Sequence, residues 1–398
     1  MSLILDSWKN SHEEINKKTV NQLLGMCGDG KLKDGKPTSI EFREFLSKVS
    51  SSHLKKYSLE CLSDGIDTKV KGLVLQDLVN EIGSRIGFNV IPGRYRGSSN
   101  IETIGFDGLW NTTSNKSLIV EIKTSSTYSI NLNTVGDYKK HLIEQGKCVE
   151  DKTSILLVVG GFETESWESQ IRGSVRNWDT RIVSVEGLIR LLEIKEDIDE
   201  TEVFDKISNI LTPQEYTKVD GIIDIVFSTT EDLAVEDSEK LNEEDKEEDE
   251  VDGKEKDTKN KPSHFYQQCI ERIESELDCN LIKDSRTSYK DNEKNLSIVC
   301  LVSRAYGESS AGFWFSFHTH QKEKLLKVEN GYLCLGCGSE NSILIIPVKD
   351  IVQWLDKLGT TERKGRFYHH LRIKISNDKF VIITTKEYEN ISIHEYLI

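Results

Sequence analysis

Apolar positions in the first sixty residues recur three and four apart, the spacing that places them on one face of a helix. One run takes in Ile15, Val20, Leu23 and Leu24, with Ser11 and Glu14 read as a capping box at its start and Gly25 as its stop. A second begins at Ser39 and carries Phe42, Phe45, Leu46 and Val49; a third carries Leu54, Tyr57, Leu59 and Leu62. Leu75, Leu78, Val79, Ile82 and Ile86 make a fourth, closed by Gly87 ahead of a short strand at 88–91. The period then changes. Residues 117–123, Ser-Leu-Ile-Val-Glu-Ile-Lys, have the β-branched content of an interior strand, and the polar cluster 111–116 turns a hairpin back to 106–110. A helix through Val135, Tyr138, Leu142 and Ile143 follows, then a continuous apolar strand at 153–161. A helix at 167–175, a strand at 180–185 and a helix at 186–194 complete an alternating α/β pattern.

A second pattern begins at residue 263. A helix carries Tyr266, Cys269, Ile270, Ile273 and Leu277, and strands are expected at 296–303, 312–318, 325–328, 332–337 and 342–346. Pro347 opens a helix through Ile351, Trp354 and Leu358, and 369–376 with 379–385 form a last hairpin around Asn377 and Asp378. Charge separates the halves. The net charge is −15, and residues 231–260 alone hold fifteen Asp and Glu against five Lys, a balance of −10. That stretch has too little apolar surface to fold and reads as an extended, self-repelling tether. The expected organisation is a helical N-terminal region at 1–66, an α/β core at 67–228, an acidic disordered linker at 229–262 and an α+β domain at 263–398. With the linker set aside the folded parts are nearly neutral.

Hydrophobic residues make up 36% and charged residues 30% of the chain, which fits folded domains with substantial cores. No stretch approaches the ~20 apolar residues of a membrane span, and the start of the chain lacks the basic opening of a secretion signal. The eight cysteines lie mostly inside apolar runs and read as reduced thiols, so a cytoplasmic protein with no membrane partner is expected.

The hairpin carries the candidate chemistry. It brings Asp107 beside Glu121, as two carboxylates at one sheet edge, and alternation puts Glu121 and Lys123 on one side of their strand. Two carboxylates and an ammonium in one small volume suit Mg²⁺, with Mn²⁺ as a substitute, because a hard cation takes carboxylate oxygens and keeps waters for a phosphate substrate. The plainer reading is a surface hairpin with a salt bridge.

The string Asp107-x13-Glu121-x-Lys123, with Phe106 where the motif's name has a proline, resembles the PD-(D/E)XK nuclease superfamily. Segments 76–83, 92–97, 171–174 and 178–184 are likewise similar to a bacterial group of restriction-endonuclease-like proteins, over roughly residues 40–230. The resemblance implies a restriction-endonuclease-like αβββαβ core and metal-dependent hydrolysis of DNA. Asp107 and Glu121 would hold the metal, and Lys123 would orient water or offset charge on the phosphate. It also implies an acidic residue on the opening helix, for which Glu81 is the candidate and Gln76 and Asp77 are rivals.

Arg94 and Arg96 suit bidentate contacts to backbone phosphates. Gln170 and Arg172 are candidates for DNA contact or for ordering metal-bound water, and Lys139, Lys140 and His141 form a basic helical turn. In the C-terminal half Arg304, Tyr306, Trp314, Phe315, Phe317, His318 and His320 either stack on a base or fill a core. Cys334 and Cys337 read as half a zinc knuckle, with His318 and His320 to complete it, or as buried thiols. The function expected is a type II or type IV restriction-like endodeoxyribonuclease of restriction or phage defence. It would act on double-stranded DNA as a homodimer, its C-terminal domain choosing the target, with a cognate methyltransferase as a further candidate partner. The alternatives are a repair or mobile-element nuclease and a non-catalytic DNA-binding regulatory module.

Overall fold

In the computed structural model the residues described are 3–63, 68–95, 105–124, 132–160, 164–173, 179–198, 203–212, 264–303, 312–339, 341–363, 366–376, 379–385 and 387–398. The expected linker, Arg96, Arg304, Tyr306 and the turn at Asn377 and Asp378 lie outside them. The chain divides into two compact units, the break falling between the elements that end at residue 211 and those that begin at 264.

Five helices open the first unit: α1 (Leu3–Asn10), α2 (His12–Asn16), α3 (Val20–Gly25), α4 (Pro37–Lys48) and α5 (Ser51–Leu62). The single helix expected from Ser11 to Gly25 is two. Thr19 rather than Ser11 forms the capping box, its hydroxyl accepting from Gln22 N and Gln22 Oε1 accepting from Thr19 N at 3.0 Å. Ser11 precedes α2 with no side-chain bond. Helix α4 starts at Pro37, before the expected Ser39, because proline at the first helical position loses no hydrogen bond. Ser39 instead donates to the Lys33 carbonyl at 2.7 Å.

Helix α6 (Thr68–Ile86) buries Leu75, Leu78, Val79, Ile82 and Ile86 and leads into a five-stranded sheet. Its strands are β1 (Asn89–Pro92), β2 (Gly108–Asn111), β3 (Ser117–Lys123), β4 (Thr153–Val159) and β5 (Thr180–Ser184), in the order β1-β2-β3-β4-β5. The first three are antiparallel and the last three parallel, so the sheet is mixed. Alternation then divides it between two cores. Trp110, Leu118, Val120, Leu156 and Val158 pack against the N-terminal helices, α6 and two later helices, α9 (Val185–Asp197) and α10 (Val203–Leu211). Leu109, Ile119, Ile155, Leu157 and Val159 pack on the other face against α7 (Leu132–Glu144) and α8 (Glu165–Arg172). β3 is therefore the middle strand, and the expected position of the two carboxylates at a sheet edge is corrected. Glu121 stands near the end of β3, after its continuous buried run 117–120, and Asp107 just before β2.

The second unit also mixes helices and strands, with β8 and β10 as a parallel pair and its other described pairs antiparallel. Helix α11 (His264–Leu277) precedes β6 (Ile282–Lys283), β7 (Ser288–Asp291), β8 (Leu296–Ser303) and β9 (Gly312–His318). There follow α12 (Thr319–Leu326), β10 (Asn330–Cys337), β11 (Ile343–Pro347), α13 (Val348–Trp354), β12 (Thr360–Arg363), β13 (Arg366–Ser376), β14 (Lys379–Ile383) and β15 (Ile391–Ser392). One sheet runs β11-β10-β8-β7-β6, and the other joins β12, β13, β14 and β15, with β9 paired to β13. The strand expected at 325–328 is the end of α12 and the turn after it, since His318 N donates to Gln321 Oε1 at 2.9 Å and starts a helix there.

Phe315 and Phe317 are core residues. Cys334 and Cys337 fall into different cores, three positions apart on one strand and so on opposite faces, where one ion cannot bind both. Among the described residues no group of three or more His, Cys, Asp or Glu could hold a metal. Cys300 and Cys334 sit opposite each other on β8 and β10, fully buried, and burial pushes both thiols well above their usual range. No helix among the described residues is long and apolar enough to cross a membrane.

Candidate active site

The antiparallel register ends where Gly108 pairs with Val120, the residue before Glu121, and Asp107 stands one residue before Gly108. Asp107 N donates to the Val120 carbonyl at 3.1 Å. The Asp107 carbonyl is then held by three donors: Gly93 N at 2.9 Å, Gln76 Nε2 at 3.1 Å and Asn80 Nδ2 at 2.9 Å. With the backbone fixed, the side chain turns to β3, where its Oδ2 accepts from Ile122 N at 2.7 Å.

Two glycines permit this. A Cβ on Gly93 would lie 1.9 Å from the Phe106 carbonyl oxygen, and one on Gly108 would lie 2.3 Å from Asn80 Oδ1. That same Oδ1 accepts from Trp110 Nε1 at 2.9 Å, so a single amide ties α6 to Trp110 of β2 and to the residue just before that strand.

Glu121 and Lys123 share a face, and Lys123 Nζ donates to Glu121 Oε1 at 2.6 Å. The other oxygen, Glu121 Oε2, is buried with no hydrogen-bond partner. Burial, and then the charge of Glu121, push the Asp107 carboxyl up to about 7, against the pull of the Ile122 amide and Lys123. Burial alone would lower the Lys123 pKa, but Glu121 and Asp107 outweigh it and the ammonium is held more firmly than usual. Tyr138, on α7, packs partly buried on this face of the sheet, and its phenol is raised by burial and then by the charges of Glu121 and Asp107. In the sequence Tyr138 shows only as one apolar position of a helix.

The donor set fits a hard divalent cation. Two neighbouring carboxylates, one oxygen orphaned, are what Mg²⁺ takes from a protein when waters and a phosphate complete its shell.

The other candidates lie elsewhere. Glu81 accepts from Arg85 Nε at 2.9 Å, and Arg85 in turn donates to the Leu46 and Val49 carbonyls, so Glu81 serves the helical layer. Asp77 is buried between Arg43 Nε at 2.8 Å and the Tyr95 hydroxyl at 2.5 Å. Burial pushes it up to about 6 despite Arg43. Of the three positions weighed on this helix, Gln76 is the one that bonds to Asp107, and Asn80, which carries no charge to draw notice, does so as well. Arg94 is exposed just after β1, and Arg96 lies outside the described residues. Gln170 and Arg172 are exposed on α8, Arg172 paired with Glu168 at 3.3 Å. Lys139 is bound to Asp179 at 2.5 Å.

No protein-family model matches the chain, and none of the curated proteins compared with it is a match.

Proposed function

We propose that this chain is a Mg²⁺-dependent endodeoxyribonuclease with a restriction-endonuclease-like core, cutting double-stranded DNA in restriction or phage defence. One observation carries the reading: the Asp107 carboxylate is bonded to Ile122 N, next along the strand from Glu121, and Glu121 takes the Lys123 ammonium on one oxygen while its other oxygen is buried without a partner. A structural salt bridge would satisfy both oxygens of a buried carboxylate, so this one is arranged for something further.

Asp107 and Glu121 would hold Mg²⁺, or Mn²⁺ in its place, which supplies Lewis acidity and acidifies a bound water. Lys123, charged across the neutral range, shifts part of its bond from Glu121 to a non-bridging phosphate oxygen and offsets the charge that grows there. The water oxygen forms a new bond to phosphorus as a bridging P–O bond breaks in line with it; the water gives up a proton to solvent and the departing oxygen takes one up, leaving a hydroxyl on one end of the cut strand and a phosphate on the other. Ile122 N keeps Asp107 turned to the reaction, while Gln76 and Asn80 fix its backbone. Arg94, exposed beside this end of the sheet, pairs with a neighbouring phosphate. Scission of both strands with one such centre per chain takes two copies, so the active form is a homodimer.

Supercoiled plasmid incubated with Mg²⁺ or Mn²⁺ tests this. Wild type should nick and linearise it, and Asp107→Ala and Lys123→Ala should each be slower by about 10²–10³-fold. Equal behaviour of all three proteins would remove the enzyme and leave a DNA-binding module.

A further inference from the structure

The sheet of the second unit that holds β9 and β13 covers the core with one face only. Phe313, Phe315, Phe317, Leu371 and Ile373 point inward. Alternation sends Trp314, Ser316 and His318 of β9, and Tyr368, His370 and Arg372 of β13, to the other face. All six are partly or fully exposed, and among the described residues none of them belongs to a core.

The rings on this outer face touch in sequence. Trp314 lies 5.6 Å from His370 at 29°, His370 5.2 Å from Tyr368, and Tyr368 5.1 Å from His318. His320, at the start of α12, adds a fifth ring stacked 5.4 Å from His318. The first plate is locked. Trp314 Nε1 donates to His370 Nδ1 at 3.0 Å, and His370 Nε2 bonds Thr361 Oγ1 at 2.7 Å, so the imidazole is neutral and cannot turn.

Cations continue the row, with Arg372 and Lys374 exposed further along the same face of β13. Among the described residues no Asp or Glu stands at an outward position of β9, β13 or β14. A half-exposed row of flat rings with fixed positive charge at one end complements a polyanion that carries flat groups. Double-stranded DNA hides its base faces within the stack, whereas an unpaired strand presents them.

We infer that this outer face of β9 and β13 is a binding platform for unpaired DNA, bases on the ring row and phosphates on Arg372 and Lys374. It rests on the reading of the chain as a DNA-cutting protein and gives its second unit a substrate: single-stranded or locally opened DNA. Recognition would follow the ease of unstacking more than the pattern of base edges.

The test is fluorescence anisotropy of a labelled 12-nucleotide oligo-dT with the full chain in EDTA, beside a 12-base-pair duplex of mixed sequence. The paired charge reversal Arg372→Glu with Lys374→Glu, at exposed positions, should weaken oligo-dT binding at least about tenfold. Trp314→Leu should weaken it about tenfold. Duplex binding should change less than about threefold in both. Asp107→Ala should bind oligo-dT as wild type does, which separates this site from the candidate active site. Unchanged oligo-dT binding in the charge-reversed protein, or equal loss of single strand and duplex, would overturn the platform even where plasmid cleavage still requires Asp107. Conversely, a plasmid left intact beside oligo-dT binding that falls as expected would retire the nuclease and keep the platform.

Discussion

Asp107 and Glu121 bring two negative charges to one place with a single ammonium, Lys123, and one amide, Ile122 N, to offset them. Without a divalent cation that arrangement opposes folding, and its pH dependence has a definite sign. The Asp107 carboxyl rises from an ordinary 3.8 to about 7 on folding. The folded state therefore keeps its proton where the unfolded state has lost it. The contribution is fully present below the ordinary value and is lost as pH rises through about 7. In EDTA at pH 8, Asp107→Asn should accordingly be more stable than wild type by roughly 1–2 kcal/mol, with the gap closing toward pH 4. Urea unfolding at the two pH values measures it, and saturating Mg²⁺ should restore the wild type. A variant less stable than wild type at pH 8 would mean that the carboxylates do not repel. This pairing was legible in the sequence, because the polar turn at 111–116 sets the hairpin register and strand alternation sets the faces. The place of Tyr138 was not, because it depends on how α7 crosses β3 and β4.

Helix α6 acts as one element with two duties. Gln76 and Asn80, four residues apart and so on one face, grip the Asp107 carbonyl, while Asp77 binds Arg43 and Tyr95 to hold the helical layer and the chain after β1. Asn80→Ala removes one of the three donors to Asp107 O and strands the buried Trp110 Nε1, at a cost of about 2 kcal/mol. Its cleavage rate should fall further than that of Gln76→Ala, which leaves the Trp110 bond intact; chemical denaturation with a plasmid assay reads both. The four-residue spacing is visible in the chain, yet nothing local says what that face meets, and the charge of Glu81 draws attention away from the neutral Asn80. The same limit moved β3 from an expected edge to the centre, because strand order comes from packing on both sides. α12 replaced an expected strand because one buried leucine, Leu325, suits either period, and Gln321 decides for the helix.

At the scale of the molecule, charge and chemistry are segregated. Two thirds of the net charge lies in residues 231–260, while the candidate metal ligands and the ring row belong to different compact units. A cation bound only by the first unit should raise only that unit's melting transition, by an amount that grows with concentration. Calorimetry of the full chain should thus resolve two transitions, with Mg²⁺ shifting one; a joint shift of both would contradict a metal site confined to the first unit. The break in composition is plain in the sequence. The pairing of β9 with β13 is not, because strands far apart in the chain leave no local sign that they meet.

The sealed thiols of Cys300 and Cys334 have a practical side. Held protonated and out of reach, they should ignore an alkylating reagent while β8 and β10 stay zipped together, and react once that sheet parts. Mass spectrometry of their carbamidomethylation over time would then serve as a built-in clock for the breathing of the C-terminal unit, with no dye or tag attached.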